Sequence, residues 1–265
     1  MGASVLELQI MPRVGWGWLN ASPFCLKALT YLRLTETPHE VRETWDLQPA
    51  PKGKLPYAVM DGVPVGDSET IVRRVRSLRG DPLREEALPD AERRRLHALR
   101  RVVEESLYFA LLVERWSDEA VWPAYRSAIA SALPWPLRHA LPPIVRRKVL
   151  RITQLQGYGR HRLDEVQMMA REDLECLGEA LGSRPFFAGD TPHAIDASVF
   201  GLLANLLYVP LHSPLHGCLT GVPSLVAFTH RLRERCERPG DPAPQTCGAC
   251  SAASSVCRPP EPVAH

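Results

Sequence analysis

The sequence predicts a mixed α/β domain followed by an all-helical domain, and three features of the 265-residue chain carry that prediction. Through Arg79, short alternating segments and amphipathic segments follow one another in the order β-α-β, loop, β-β-α. Between residues 81 and 89, prolines and charges mark a linker. Beyond it, strand-like alternation gives way to apolar residues at helical spacing, broken by prolines and glycines. The expected organisation is an α/β unit over 1–80, a linker over 81–89, a helical unit over 90–238 and a tail over 239–265.

Val5-Leu6-Glu7-Leu8-Gln9-Ile10 alternates as a half-buried strand does. Ser22-Pro23-Phe24-Cys25-Leu26-Lys27 then opens a helix. Ser22 is a good N-cap acceptor, Pro23 suits the first helical position, and Leu26, Leu29, Tyr31, Leu32 and Leu34 supply the apolar residues. A group beside position 22 faces the positive end of that helix and its unpaired amides, which favour an anion such as a thiolate. Residues 38–44 can form a second strand, parallel to the first through a right-handed crossover. A proline-rich, basic loop over 48–56 leads to the short apolar strand 57–60, and Asp61-Gly62 is the tight turn into Val63-Pro64-Val65. Asp67-Ser68-Glu69-Thr70 carries helix-starting chemistry ahead of Ile71, Val72, Val75 and Leu78.

In the second half, residues 91–116, 118–133, 144–154, 161–181, 193–208 and 224–238 have helical length and spacing, with Pro134-Trp135-Pro136 and Pro142-Pro143 as breaks. The tail, rich in Pro, Ala, Ser and Cys, is expected to be disordered. Its Cys247-Gly248-Ala249-Cys250, with Cys257 and His265, starts as a zinc site does but lacks a second close ligand pair, so no metal is expected.

Composition narrows the function classes. With 45% hydrophobic and 23% charged residues the chain reads as an ordinary globular protein, and a net charge of +2 argues against nucleic acid as the main partner. The opening residues carry Glu7 and lack the apolar core of a secretory signal. The longest apolar segment, 197–211, contains Asn205 and falls short of the ~18 residues of a membrane span, so a cytosolic protein is expected. Seven cysteines, an odd number, fit reduced thiols better than a disulfide framework.

The plan and the local motifs resemble the glutathione S-transferase superfamily, a thioredoxin-like domain followed by a helical bundle. Ser22-Pro23-Phe24-Cys25-Leu26-Lys27 is similar to the active-site segment of serine-type glutathione transferases, and to a glutaredoxin CPxC motif with Ser22 in place of the first cysteine. Residues 51–57, with Asp67-Ser68-Glu69 downstream, look most like the failed axon connections and metaxin-like branch. Residues 186–196 resemble the loop and capping motif that opens the core helix of the second domain, with His193 where Ser or Thr is usual and a weaker cap expected from it.

The resemblance implies glutathione as co-substrate. On it, Leu55 pairs with the tripeptide backbone beside a cis Pro56. Asp67 and Ser68 take the ammonium and carboxylate of the γ-glutamyl end, and Lys54 adds charge at the glycyl end. Ser22 is the candidate catalytic residue for thiolate activation, the nucleophile being the thiol of glutathione itself. Cys25 is a second catalytic candidate, through a mixed disulfide with glutathione, or else a small buried hydrophobe. Ser22 and Asp67-Ser68 are also plausible as plain helix caps. Tyr108, Phe109, Leu112 and Trp116 either line a pocket for a small electrophilic or thiol acceptor or belong to the bundle core.

The resemblance also suggests a homodimer, and it leaves open a non-catalytic, metaxin-like scaffold. The basic series Arg138, Arg146, Arg147, Lys148 and Arg151, interleaved with aliphatic residues, fits peripheral contact with an anionic membrane, an acidic partner, or a solvated helix face.

Overall fold

Leu6–Ile10 (β1) lies at the middle of a four-stranded sheet of order β2-β1-β3-β4 in the computed structural model, which describes residues 6–14, 17–209, 211 and 213–242. The segments expected from alternation form the other strands: His39–Glu43 (β2), Tyr57–Met60 (β3) and Val63–Gly66 (β4). β2 pairs parallel to β1, with Leu6 opposite His39 and Ile10 opposite Glu43. β3 runs antiparallel to β1, Gln9 opposite Tyr57, and β4 antiparallel to β3, Tyr57 opposite Gly66. Asp61 and Gly62 both take positive φ, 51° and 76°, as the two central residues of a hairpin turn that follows the strand twist require.

This register decides where the loops emerge. The carboxyl ends of β1, β2 and β4 and the amino end of β3 all lie at one end of the sheet, so the segments that follow Ile10 and Glu43, precede Tyr57 and follow Gly66 leave together.

Helix α1 (Pro23–Leu34) crosses from β1 to β2, and α2 (Ser68–Arg79) follows β4. Ile71, Val72 and Val75 of α2 are buried as expected, but Leu78 is exposed, because the helix turns that position away before ending at Gly80 in the left-handed conformation. The linker residues are tied down: Arg76 holds Asp81 at 3.1 Å and Glu85 at 2.7 Å.

Helical structure then runs from α3 (Asp90–Arg101) through a π-helical turn over Val102–Leu107 into α4 (Tyr108–Ser117). It continues with α5 (Trp122–Ser131), α6 (Leu137–Gln156), α7 (Leu163–Leu181), α8 (Ala194–Leu207), α9 (Pro214–Thr220) and α10 (Pro223–Cys236). Two sequence expectations are corrected here. Pro142 and Pro143 do not break α6, which passes through both. Pro142 is buried against the cleft described below, and the helix begins with looser bonds, His139 N–H to Pro136 O at 3.2 Å, that the prolines do not interrupt. The seven-residue α9, too short to show periodicity, was not anticipated.

The tail is ordered at its start. Asp241 accepts both guanidinium nitrogens of Arg33, at 2.6 and 2.7 Å, and the Arg238 amide at 2.8 Å, which joins the ends of α1 and α10. The Cys247-Gly248-Ala249-Cys250 segment, Cys257 and His265 lie outside the described residues. Among the described residues no cluster of metal-ligating side chains forms, and no helix is long and apolar enough to cross a membrane.

The core is organised around α8, in which every residue from Ile195 to Leu206 is buried, as a helix apolar on all sides must be. It lies directly on α1. A Cβ on Gly201 would stand 2.5 Å from Pro23 O and 3.1 Å from the Lys27 amide, so the approach of the two backbones requires glycine there. The start of α8 is held from two sides. Asp196, fully buried, accepts the amides of Phe187 at 2.9 Å and His193 at 2.7 Å, and Glu85 from the linker accepts the Ala194 amide at 2.6 Å. The weak cap expected from His193 is thus made good by a carboxylate from 109 residues away, placed at the positive end of the helix.

Two stability predictions follow from these contacts. Gly201→Ala should lose about 1–3 kcal/mol in urea unfolding, with an unchanged m value, because backbone rather than a flexible side chain blocks the new methyl. Asp196→Ala strands two buried amides and should lose about 2–4 kcal/mol, with Asp196→Asn, which keeps one acceptor, clearly milder in the same titration.

Candidate functional site

At the sheet end where the loops gather, the segment after β1 is braced before it reaches the helix. Asn20 donates to Met11 O at 2.6 Å and accepts the Ser22 amide at 3.0 Å, which closes the loop on itself. The helical region grips the same loop through its carbonyls: Asn205 of α8 donates to Asn20 O at 3.0 Å, and Arg115 of α4 donates to Ala21 O at 3.1 Å. Arg115 is itself buried, donating also to Asn205 O at 2.7 Å and lying 4.9 Å over the Tyr125 ring.

Ser22 is the N-cap of α1, in extended backbone conformation (φ −91°, ψ 116°), with its Oγ accepting the Cys25 amide at 3.3 Å. It is half-buried and forms part of the wall of a cleft of about 220 Å³. Cys25, one turn further, is fully enclosed. Burial pushes its thiol up to about 11, so it stays protonated at neutral pH and packs as a small hydrophobe.

The next loop brings Leu55 and Pro56, joined by a cis peptide bond, to the same sheet end. Pro56 is buried and Leu55 half-buried, while Lys54 is exposed at the rim. Pro56 O accepts the Asp67 amide at 3.2 Å, which fixes the loop before β3 against the start of α2. Asp67 (φ 83°) occupies the left-handed side of backbone space and caps α2: its Oδ1 accepts the amides of Glu69 and Thr70, each at 3.0 Å. Asp67 is exposed, and Ser68, the first helical residue, is buried.

The cleft beside Ser22 is apolar. Tyr108, Leu112 and Trp116 of α4 line it, Trp45 closes one edge from the segment after β2, and the opposite wall comes from α5 and α6. Of the four aromatic and aliphatic candidates on this helix only Phe109 turns elsewhere, edge-on to Tyr108 at 5.5 Å and tilted against Tyr158 at 6.2 Å. Tyr108 packs edge-on against Phe24 at 4.7 Å, and burial pushes its hydroxyl up to about 12, so it remains a proton donor at neutral pH.

Beneath this surface lies a charge cluster that the sequence did not suggest. Lys27 of α1, 1% exposed, donates to Glu69 of α2 at 2.8 Å and to Glu104 of the π-helical turn at 2.6 Å. Arg100 reaches the same two carboxylates at 3.3 and 3.0 Å. Asn20, Lys27, Arg115 and Asn205 all stand in otherwise ordinary helix or loop sequence, and the mid-helix polar Asn205 in an apolar run is the one signal that could have pointed to them.

The structure therefore brings Pro56 and Asp67 into direct contact, gathers Ser22, Leu55 and Ser68 at one end of the sheet, leaves Lys54 at the solvent-facing rim, and sends Cys25 inward.

Comparison with known proteins gives this arrangement relatives. The family profile described as Glutathione S-transferase N-terminal domain matches residues 23–121, and that described as Glutathione S-transferase, C-terminal domain matches residues 170–232. The isoprene-epoxide–glutathione S-transferase of Rhodococcus sp. (strain AD45) is 33% identical over 227 residues, covering 83% of this chain and 94% of that protein. Metaxin-1 of Mus musculus is 32% identical over 241 residues, covering 87% of this chain and 75% of that protein. Failed axon connections of Drosophila melanogaster is 27% identical, covering 82% and 54%.

Among solved structures, the beta-etherase LigF from Sphingobium sp. strain SYK-6 superposes with a TM-score of 0.62 at 17% identity, covering 89% of this chain and 96% of that one. A glutathione S-transferase of Ceriporiopsis subvermispora in complex with glutathione gives 0.59 at 14% identity, covering 89% and 100%, and both show the fold alone. On its sheet, its helical bundle and these relatives, the chain belongs to the glutathione S-transferase superfamily, in the metaxin-like branch.

Proposed function

We propose that this protein binds glutathione at the sheet end and joins its thiol to a small, apolar electrophile held in the adjoining cleft. The observation that carries the reading is the position of Ser22, on the boundary between the gathered loops and a 220 Å³ apolar cleft. Its Oγ accepts the Cys25 amide and caps the positive end of α1, and its hydroxyl carries one proton that a bound thiolate would draw. In this reading Leu55 pairs with the tripeptide backbone, Asp67 and the hydroxyl and amide of Ser68 at the start of α2 receive the γ-glutamyl end, and Lys54 approaches the glycyl carboxylate. The relative named for an isoprene epoxide supports an electrophile of that small, apolar kind. The reading includes a cytosolic setting and a pairing of two copies, the latter checked by light scattering.

The chemistry asked of Ser22 is modest. A free glutathione thiol, with a cysteine-like pKa of ~8.5, is mostly protonated at pH 7, and one donated hydrogen bond together with the helix end raises its thiolate fraction. Attack by sulfur on a strained carbon forms the C–S bond as the C–O bond of an epoxide breaks, and the released alkoxide takes a proton from Tyr108 or solvent.

A non-catalytic scaffold is the second reading, favoured by the 32% identity to metaxin-1. Retention on immobilised glutathione separates the two. The enzyme reading expects retention that Ser68→Ala weakens, and a chain that passes through unretained, with no conjugation of a small epoxide, leaves the scaffold.

Two further outcomes are expected of the enzyme. Ser22→Ala should lower kcat/KM on the order of 100-fold with retention on glutathione intact, and should move the alkaline-rising limb of the pH profile up toward the free thiol, since the residue acts on the thiolate and not on binding. Cys25, protonated and enclosed, should resist alkylation by iodoacetamide at pH 8 in the native protein while the exposed Cys176 reacts, as peptide mapping would report. Rapid labelling of Cys25 would restore the mixed-disulfide chemistry.

A further inference from the structure

Residues 120–163 contain eight Arg and Lys and not one Asp or Glu, in a chain whose net charge is +2. The same segment holds six of the eleven large apolar side chains that stand exposed among the described residues, Trp135, Leu137, Ile144, Ile152, Leu155 and Leu163. Trp135 at the tip before α6 is 74% exposed, Ile144 59% and Leu155 71%. Neither feature is what a helix face turned only to water would carry.

The two features share one face. In α6, Leu137, Ile144, Lys148, Arg151 and Leu155 follow one another at intervals of seven, four, three and four, which at 3.6 residues per turn is a single stripe, with exposed Arg147 beside it. The opposite face is fully used: Pro142, Val145 and Val149 line the cleft, and Arg146 is turned inward, donating to Trp116 O at 2.7 Å and pairing with Glu119 at 2.6 Å. Arg146 therefore does not belong to the exposed basic series that the sequence suggested. The outer stripe serves neither the core nor the cleft.

We propose that the outer face of α6 and the Trp135 tip rest on an anionic lipid bilayer, with the helix lying in the interface plane. Charge decides among occupants. A second copy on the same face would set one acid-free basic segment against another, so self-association there is opposed. Nucleic acid would satisfy the cations and leave Ile144 and Leu155 in water. An anionic interface satisfies both, aliphatic side chains and Trp at the acyl boundary and Lys148, Arg151 and Arg147 among the headgroups. The inference is independent of glutathione binding and stands or falls apart from it.

The test is flotation of the purified full-length chain with vesicles of phosphatidylcholine alone or with 30 mol% phosphatidylserine. Binding is expected only with the anionic vesicles, and release as salt rises from 50 to 500 mM. Lys148→Ala/Arg151→Ala should lower the partition coefficient about 30-fold, the order expected for two cations near such a surface, and Trp135→Ser/Leu155→Ser at least tenfold. All four positions are exposed, so both variants keep the parent melting temperature. Absence of binding to anionic vesicles at low salt, equal binding to neutral ones, either variant floating as the parent does, or a dimer by light scattering that both variants split, would each overturn the proposal.

Discussion

The whole arrangement depends on a lysine buried between helices. Lys27 sits in the second turn of α1 where Gly201 lets α8 press onto the backbone, and its side chain is 1% exposed. An isolated buried ammonium costs several kcal/mol, so the fold is possible only because Glu69 and Glu104 converge on it from two other elements, with Arg100 restoring neutrality. Burial alone would raise the Glu69 carboxyl, yet Lys27, aided by Arg100 and Arg73, holds it below the usual carboxylate range. Helices α1, α2 and the π-helical turn are therefore fixed relative to one another by charge as well as by packing. The π register over Val102–Leu107 is part of that constraint, since it sets the rotation at which Glu104 leaves the helix.

What the cluster fixes beneath, Asn20, Arg115 and Asn205 fix above. A short loop that must present Ser22 has carbonyls pointing away from any strand partner, and buried carbonyls need donors. Arg115 and Asn205 supply them from the helical region to Ala21 O and Asn20 O. The rigidity of the Ser22 turn is thus a property of the contact between sheet unit and bundle: Arg115 couples it to the cleft wall, while Asn205 of α8 reaches the loop from outside the cleft.

The sheet unit was legible in the sequence because its signals are local. Alternation sets the strands, Asp61-Gly62 supplies the positive φ of the turn, and Ser22-Pro23 and Asp67-Ser68 start helices by chemistry that acts within three residues. Lys27 and Arg115 were not legible for the opposite reason. Their partners lie 42, 77 and 94 residues away, and a charged side chain in an amphipathic helix reads as solvent-facing until the packing is known. Proline misled in the same way: at Pro142-Pro143 the local penalty is real, but packing of Pro142 against the cleft and looser bonding in the preceding turn let α6 continue. His193 looked like a poor cap because Glu85, its remedy, stands in a linker with no periodic pattern at all.

The two family profiles leave residues 122–169 between them, and that gap bears on specificity. Ser22, the cis Leu55-Pro56 pair and the start of α2 come from segments inside or next to the first matched region, whereas Tyr125, Ile129, Leu133, Pro142, Val145 and Val149 of the cleft wall come from the gap. On the proposed function, a site built this way can keep one chemistry on the Ser22 side while the opposing wall varies in depth and polarity. Selectivity in an apolar pocket changes by only about 1–3 kcal/mol per methylene, so several residues must change together to admit a different acceptor. The helical hairpin of α5 and α6 is the element on which such a set can change without disturbing Lys27, although Tyr125, which lies under Arg115, is tied through it to the loop that holds Ser22.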